Sequence, residues 1–347
     1  YYITNTIIKY LLIIMTPIQE TIINKKTNNT PIWLMRQAGR YLPEFREIRK
    51  INPDFINLCL NEKLSSEITL QPLKRFELDA AIIFSDILML PYGLNQKVEF
   101  KKDFGPQLGP LSLEEISKVD EVDFIEKLNP IYKSIKKVSE NDLIKNKNLI
   151  GFVGAPWTLL VYMINKHSPK KELIKDFFKD KFLIEKTLLI LEKFLKIHIN
   201  QQIKNGATVI QIFDSWAGLL NEKNLPNYIY NPTQNLVEYV KSLNIPVICF
   251  PRGIKNYKNY CDIVGPDAVN IDYEVDPISI CREIKIPVQG GLDPKVLLTD
   301  TNNLKKQTLK YLDIFKDHPY IFNLGHGVLP ETNPDMVDYL VKMVKDY

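Results

Sequence analysis

Side chains that can bind anions or move protons follow the short apolar runs of this sequence. Arginines hold carboxylates through paired N–H donors, aspartates accept N–H groups or stabilise cations, and histidines exchange protons near neutral pH. In chain order these positions are Arg36 and Arg40, Ser85 and Asp86, residues 156–162, Asp214 and Ser215, Arg252, Asp272 and Tyr273, Asp293, and His326. Their shared position after apolar runs predicts that they gather at one end of the fold.

Some of these positions also have purely structural interpretations. An aspartate after a strand, such as Asp86, is often a helix N-cap, and an arginine pair is often a surface salt-bridge partner. A lone histidine is often a hydrogen-bonded structural residue, but the glycines on both sides of His326 indicate close approach of a ligand to the backbone. Structural or exposed positions are expected for the other histidines, which are His167, His198 and His318.

Short β-rich runs alternate with longer helical patterns along the chain, which is typical of repeated βα units. The predicted strands are residues 32–35, 80–84, 149–153, 208–213, 246–250, 268–271, 287–289 and 320–324. About eight such units predict an α/β fold, a single (β/α)8 barrel of the TIM type with its active-site cleft at the C-terminal ends of the strands. An open doubly wound sheet is the alternative, although no G-x-G-x-x-G motif follows the first strand.

Helix starts are marked by capping side chains that precede a proline, whose missing N–H costs nothing at a first helical position. These caps are Asn231, Asp276, Asp293 and Asn333. Ser112 and Glu115 have the spacing of a capping box. Residues 183–199 carry a wide apolar stripe, which predicts a helix that covers the outside of the sheet.

Composition and charge exclude several classes of protein. The 347 residues include 45 Lys+Arg and 41 Asp+Glu, a balance of +4 that argues against a nucleic-acid-binding or membrane-binding surface. The four cysteines are widely scattered, which argues against a disulfide framework or a cysteine-built zinc site. No apolar run reaches the roughly 18 residues that a membrane span needs.

The two parts of the chain are expected to differ in role. We expect residues 1–14 to be a leader or upstream segment outside the fold and residues 15–347 to form the barrel. A cytoplasmic location is expected, and a plastid location is the alternative if residues 1–14 are the remnant of a targeting leader.

Six motifs resemble those of uroporphyrinogen decarboxylases, and they occur in the same order. The longest are residues 31–43 (PIWLMRQAGRYLP) and 151–159 (GFVGAPWTL). The others are residues 85–87 (SDI), 213–218 (FDSWAG), 290–294 (GGLDP) and 323–327 (NLGHG). The resemblance extends over about residues 30–345.

The resemblance implies a barrel enzyme that removes carbon dioxide from the four acetate side chains of uroporphyrinogen III, giving coproporphyrinogen III for haem and chlorophyll synthesis. It implies a homodimer with clefts facing each other and no metal or organic cofactor. The implied catalytic residues are Asp86, Arg36, Tyr162 and His326. The implied substrate-binding residues are Arg36, Gln37, Ala38, Gly39, Arg40, Asp86, Ile87, Tyr162, Phe213, Ser215 and His326.

The expected roles follow from the chemistry of each side chain. Asp86 would stabilise a cation on the pyrrole nitrogens, and Arg40 would bind a substrate carboxylate. An arginine is a poor general acid because its pKa exceeds about 12, so a proton-donor role for Arg36, beside carboxylate binding, needs unusual surroundings or a relayed water. Asp214 is expected to be a hydrogen-bonding partner in the loop rather than the catalytic acid.

Two other functions are weighed against this one. Zinc-dependent, corrinoid-linked methyltransferases share the fold superfamily, but they need a His-x-Cys ligand pair, and no cysteine here has a histidine two residues away. A non-catalytic tetrapyrrole-binding barrel is the other alternative. Such a relative would be expected to have lost catalytic residues, but this chain retains Arg36, Arg40, Asp86, Tyr162 and His326.

Overall fold

Parallel strands form one curled sheet in this computed structural model, which describes residues 15–25, 29–101, 104–169 and 172–347. In this part of the chain seven strands follow one another around the sheet in chain order, each parallel to the next. They are β1 (Ala80–Ile82), β4 (Asn148–Gly154), β5 (Val209–Asp214), β6 (Val247–Pro251), β7 (Ala268–Ile271), β8 (Val288–Gly290) and β9 (Tyr320–Ile321). An antiparallel hairpin, β2 (Val98–Lys101) with β3 (Gly105–Leu108), lies between β1 and β4 in the chain.

The segment around Ile32 connects the two edges of this sheet. Phe322, just after β9, donates its N–H to the carbonyl of Pro31 at 2.8 Å and accepts from the N–H of Trp33 at 3.3 Å. On the other side, Asp79 before β1 donates its N–H to the carbonyl of Ile32 at 2.9 Å. The segment therefore occupies the eighth position of the ring, which agrees with the predicted (β/α)8 barrel.

The prediction of a regular strand at residues 32–35 is wrong. Only Ile32 forms a bridge, which is parallel to Phe322. The N–H of Leu34 donates to the side chain of Gln37, and the N–H of Met35 donates to the side chain of Asn323, both at 3.0 Å. Because side chains satisfy these N–H groups, the segment continues without a strand ladder.

The barrel interior is filled by side chains that alternate along the strands. Its apolar cluster includes Trp33 from the closing segment and Ile150, Val209 and Ile248 from three strands. The first helix packs Ile18 and its neighbours into the same cluster, so it plugs one end of the barrel.

The described residues form fourteen α-helices, and those after α1 surround the sheet. They are α1 (Pro17–Asn24), α2 (Pro43–Ile51), α3 (Phe55–Cys59), α4 (Glu62–Arg75), α5 (Met89–Gly93), α6 (Leu113–Ser117), α7 (Glu121–Ser139), α8 (Pro156–Asn165), α9 (Lys181–Lys204), α10 (Asn231–Ser242), α11 (Tyr257–Val264), α12 (Pro277–Glu283), α13 (Thr301–Phe315) and α14 (Pro334–Asp346). The predicted helix at residues 183–199 corresponds to α9, which is longer at both ends. The predicted leader, residues 1–14, lies outside the described residues.

Most of the predicted helix caps are confirmed. Asp276 and Asn333 accept backbone N–H groups at the starts of α12 and α14, and Asp293 caps a 3₁₀ helix. Ser112 accepts the N–H of Glu115, as in a capping box. The predicted cap at Asn231 is wrong: a π-helical turn, Pro226–Tyr230, runs directly into α10, so Asn231 is itself helical.

Candidate active site

The predicted site residues meet at the mouth of the barrel, where the C-terminal ends of the strands lie. Asp86 follows β1, Tyr162 lies on α8 after β4, and Ser215 follows β5. Arg36 follows the closing segment and His326 follows β9. Their approach is visible electrostatically, because the pKa of Arg36 responds to both Asp86 and Tyr162.

Aromatic rings line the mouth beneath these polar groups. Phe213, near the end of β5, is half-buried and contacts Phe152 and Phe250 edge to face, with ring centroids 5.7 and 6.4 Å apart. Such a surface can pack against a flat or bowl-shaped conjugated ligand.

Arg36 occupies an uncommon backbone conformation, with φ at +60°. Non-glycine residues rarely adopt this left-handed region, and strain of this kind often marks functional sites. The side chain lies against Gly327, where a Cβ atom would be only 2.3 Å from Cδ of Arg36. Glycine at position 327 is therefore what lets the guanidinium of Arg36 extend across the mouth.

The charge of Arg36 is sensitive to its neighbours. Its side chain is accessible from solvent, but the surrounding barrel wall desolvates the guanidinium and lowers its pKa. Asp86 and Tyr162 oppose this shift, whereas Arg40 and Arg252 lower the pKa further. Among the described residues, none of these three arginines forms an ion pair with a carboxylate. The mouth therefore presents cations that are ready to bind an anionic ligand.

Asp86 combines a structural role with a second carboxylate oxygen that can accept a hydrogen bond. Its Oδ1 accepts the N–H of Leu88 at 2.8 Å, so the capping interpretation holds for the turn before α5. Burial raises the pKa of this carboxyl to about 6, although the Leu88 N–H and the charge of Arg36 both favour the ionised form. At neutral pH the carboxylate is ionised, and Oδ2 remains available to a ligand.

His326 is neutral at physiological pH. Burial first, and then the charges of Arg36 and Arg252, lower the pKa of its ring to about 4. Its Nδ1 accepts the N–H of Gly327 at 2.7 Å. Because Nδ1 is an acceptor, the proton of the neutral ring lies on Nε2, which can donate to an oxygen of a ligand.

Tyr162 and Ser215 are held by a hydrogen-bonded link between α8 and the loop after β5. Thr158 of α8 donates its hydroxyl to Asp214 at 2.6 Å and accepts the N–H of Trp216 at 3.1 Å. The ring of Trp216 meets Tyr162 edge to face at 5.9 Å. Ser215 lies between the two bonded residues, so its position is restrained from both sides.

Asp214 itself is not directed at the mouth. Its side chain is buried, burial raises its pKa to about 7, and the hydrogen bond from Thr158 opposes that shift. Tyr162 is also a neutral group, because burial is the largest cause of its raised pKa. Tyr162 is therefore a hydroxyl donor at neutral pH, and Asp214 serves the loop.

Gln37 is the predicted binding residue whose side chain does not reach the mouth. It is fully buried, with its amide nitrogen bound to the carbonyl of Ala80 and its amide oxygen bound to the N–H of Leu34. Gly39 shapes the same loop, since a Cβ there would lie 2.7 Å from the carbonyl oxygen of Arg36. Only backbone contacts with a substrate remain open to Gln37. The remaining predicted positions are accessible, with Ala38 and Ile87 half-buried and Arg40 exposed.

Arg252 was absent from the predicted set, although its position directly after an apolar run was the available signal. It follows β6, is half-buried, and influences the pKa of both Arg36 and His326. Its position after an apolar run predicts Arg252 at the same end of the fold as the site, but a role in binding also depends on the direction of its side chain, which the run does not report.

No group of three or more His, Cys, Asp or Glu side chains is arranged to hold a metal ion within the described part of the chain. The four cysteines are free thiols, as their scatter predicted. None of the described helices is both long enough and apolar enough to cross a membrane.

A parallel barrel with unpaired arginines, an aspartate and an aromatic surface at its mouth defines a TIM-barrel enzyme whose site suits a carboxylate-bearing ligand. The family model described as uroporphyrinogen decarboxylase (URO-D) matches residues 15–347. The chain belongs to the uroporphyrinogen decarboxylase family.

Individual relatives support this membership. The chain is 41% identical to a uroporphyrinogen decarboxylase of Rickettsia bellii over 333 residues, covering 94% of this chain and 97% of the relative. It is 39% identical to one of Agrobacterium fabrum over 333 residues, covering 94% and 96%. Among solved structures, a methyltransferase from Methanosarcina mazei matches with a TM-score of 0.76 and 16% identity, covering 96% of this chain and 99% of that one. That likeness concerns the fold alone.

Proposed function

We propose that this protein decarboxylates the four acetate side chains of uroporphyrinogen III to methyl groups and so forms coproporphyrinogen III without a metal or organic cofactor. The observation that carries the proposal is the carboxylate of Asp86 close to Arg36, an arginine without an ion pair among the described residues, at the mouth of a barrel of this family. A polycarboxylate with cationic intermediates fits that combination of charges.

The substrate supplies its own electron sink. Protonation of the pyrrole carbon next to nitrogen gives a cation, and the electrons of the breaking C–C bond flow into it as carbon dioxide leaves. Protonation of the resulting exocyclic carbon and loss of the added ring proton complete the methyl group. The net change is one carboxylate and one proton converted to carbon dioxide and a C–H bond.

In this reaction Asp86 accepts the pyrrole N–H groups and stabilises the positive charge that develops on the ring. Its fixed position matters because a preorganised carboxylate needs no reorientation during the reaction. The burial that raises its pKa to about 6 also strengthens its attraction for a cation.

The other groups hold the substrate. Arg36 and Arg40 bind carboxylates, His326 donates from Nε2, and Tyr162 and Ser215 supply hydroxyl groups. Phe213 packs on the macrocycle. The pKa of Arg36 is lowered, and a lower pKa makes the guanidinium a better proton donor. We therefore assign Arg36 to carboxylate binding and to a part in proton transfer.

The proposal extends to the working form of the enzyme. Residues 15–347 act as one catalytic barrel, and two copies associate with their mouths facing each other in the cytoplasm. The family resemblance supports this assembly. A solution mass near twice 40.3 kDa would agree with it, and a mass near 40.3 kDa would contradict it.

The test of the activity is anaerobic incubation with uroporphyrinogen III, followed by separation of products by carboxyl number. Material with seven, six, five and four carboxyl groups is expected, and persistence of the eight-carboxyl substrate with folded protein would overturn the proposal. Asp86→Asn removes the charge while keeping the shape, and we expect about a hundredfold or greater loss of kcat. Asp276→Asn is the matched control, because asparagine also caps a helix and the exposed Asp276 side chain bonds, among the described residues, to Ile278 and Ser279 of its own helix.

The proposal also sets the pH dependence. Only the ionised form of Asp86 stabilises a cation, so kcat/KM should fall as the pH falls through about 6. His326 cannot cause this loss, because its pKa is lowered to about 4. A flat profile from pH 7 to pH 5 would contradict the role of Asp86.

A further inference from the structure

We propose that Arg252 is a further substrate-binding residue, a third arginine that holds a carboxylate of the substrate at the barrel mouth. This inference rests on the proposed function and extends it to a residue that neither the motifs nor the predicted site included. It stands on how the backbone of Arg252 is held, where its side chain lies, and which charges surround it.

The backbone of Arg252 is fixed on two sides. Its N–H donates to the carbonyl of Asp214 at 3.1 Å, and its carbonyl accepts the N–H of Gly218 at 3.0 Å. The next residue, Gly253, donates its N–H to Oδ2 of Asp272 at 2.9 Å. The loops after β5 and β7 thus clamp the turn that carries Arg252, so its side chain starts from a preorganised position.

The turn also depends on close backbone packing. Gly253 has a left-handed φ of +79°, and a Cβ on Gly218 would lie 2.7 Å from the carbonyl oxygen of Gly253. Two glycines therefore let the loops after β5 and β6 touch. This contact joins Arg252 to the loop that carries Ser215.

Arg252 directly follows β6, at the C-terminal ends of the strands where the substrate-binding groups lie. It is half-buried, and its charge lowers the pKa of Arg36 and of His326, which come from the two opposite ends of the chain. This influence agrees with the position of Arg252 at the end of β6, beside the loop that carries Ser215.

The nearby carboxylates do not neutralise Arg252. Asp272 is buried and uses its oxygens to accept the N–H groups of Gly253 and Glu274. Asp214 is bonded to Thr158. No ion pair or hydrogen bond of the guanidinium of Arg252 occurs within the described residues.

Three unpaired arginines in one mouth repel each other, and an anionic ligand would relieve that repulsion. The proposed substrate carries eight carboxylates. The guanidinium groups of Arg36 and Arg40 can form bidentate pairs with only some of them. The guanidinium of Arg252, at the end of β6 on the opposite wall of the barrel, would bind a carboxylate on another side of the macrocycle. We therefore assign Arg252 to binding rather than to the chemical step.

The kinetic test compares Arg252→Met, Arg252→Lys and a matched control, Arg282→Met, which removes an arginine that is exposed on α12. Arg252→Met should raise KM for uroporphyrinogen III by about tenfold or more with kcat changed by less than about threefold. Lysine should restore part of the loss, because it keeps the charge without the fork. Equal KM values for Arg252→Met and Arg282→Met would overturn the proposal.

A second measurement does not depend on turnover. The oxidised octacarboxylate uroporphyrin should bind Arg252→Met about tenfold more weakly than the unaltered protein or Arg282→Met, as followed by quenching of tryptophan fluorescence. If the unaltered protein fails to decarboxylate uroporphyrinogen, the proposed function fails, whereas this difference still supports an anion-binding role for Arg252. Equal affinities would overturn that role whatever the activity.

An NMR titration of His326 distinguishes a local effect of the Arg252→Met substitution on the mouth from unfolding of the variant. Loss of a neighbouring cation should raise the pKa of His326 above about 4 in Arg252→Met. No change in that pKa would show that the guanidinium lies elsewhere and would also overturn the proposal.

Discussion

Replacement of Gly327 by alanine tests whether the position of the Arg36 side chain, rather than its charge alone, determines activity. Gly327 lies beside His326, and its missing Cβ leaves the space that the stem of Arg36 occupies. The backbone at this position is not among those with a left-handed φ, so alanine is compatible with its conformation. The substitution therefore adds a methyl group without changing any charge in the mouth.

The size of the effect follows from distances. The new Cβ would lie 2.3 Å from Cδ and 2.6 Å from Cγ of Arg36. Carbon atoms in contact are normally about 3.5 Å apart, so the stem must move by roughly 1.2 Å. A misplacement of about 1 Å in a catalytic site can cost about a hundredfold in rate. We expect kcat/KM for uroporphyrinogen III to fall about a hundredfold.

The assay is anaerobic turnover measured beside thermal unfolding. Arg36 can swing toward solvent because its side chain is accessible, so the unfolding temperature should change little. Gly105→Ala is the control: its φ of +72° makes alanine strained, but no residue that the structure describes lies within 4 Å of the added Cβ. That variant should lose about 1 kcal/mol of stability and keep its activity. A kcat/KM for folded Gly327→Ala within threefold of the unaltered protein would show that activity does not depend on the position of the Arg36 stem.

Two further predictions concern stability. The Nζ of Lys345 on α14 contacts both oxygens of Asp79 at 2.5 and 2.6 Å, where the closing segment meets β1, so Lys345→Met should lower the free energy of unfolding by about 3 kcal/mol in urea titrations. Lys342→Met removes an exposed pair on the same helix and should change stability little; equal losses would contradict the role of burial. The buried His198 has its pKa lowered from 6.5 to about 4, so the unfolded chain binds its proton more readily below pH 6.5. Stability should fall by about 2 kcal/mol from this group between pH 7 and pH 5, and His198→Gln should reduce that loss; an unchanged loss would contradict it.

Much of the fold was predictable because its signals are local. The alternation of apolar runs and amphipathic helices reports which faces are buried, and seven of the predicted strands appear where expected, with shifted bounds. Helix caps such as Asp276 and Asn333 were readable because a cap bonds to an N–H only two or three residues away. The failure at Asn231 has the same explanation, since the preceding π-helical turn is not marked by a local capping signal.

The order of the barrel units, the family, and the residue types available at the strand ends are all readable from the amino-acid sequence. Only the tertiary structure decided how the barrel closes, because Met35 bonds to Asn323 across 288 positions of the chain. It also decided that the side chain of Gln37 turns into the core while that of Arg252 shares the mouth with Arg36. Hydrophobic periodicity shows which face of a single helix or strand is buried. Which charged side chains lie close together depends instead on how loops from distant strands are arranged.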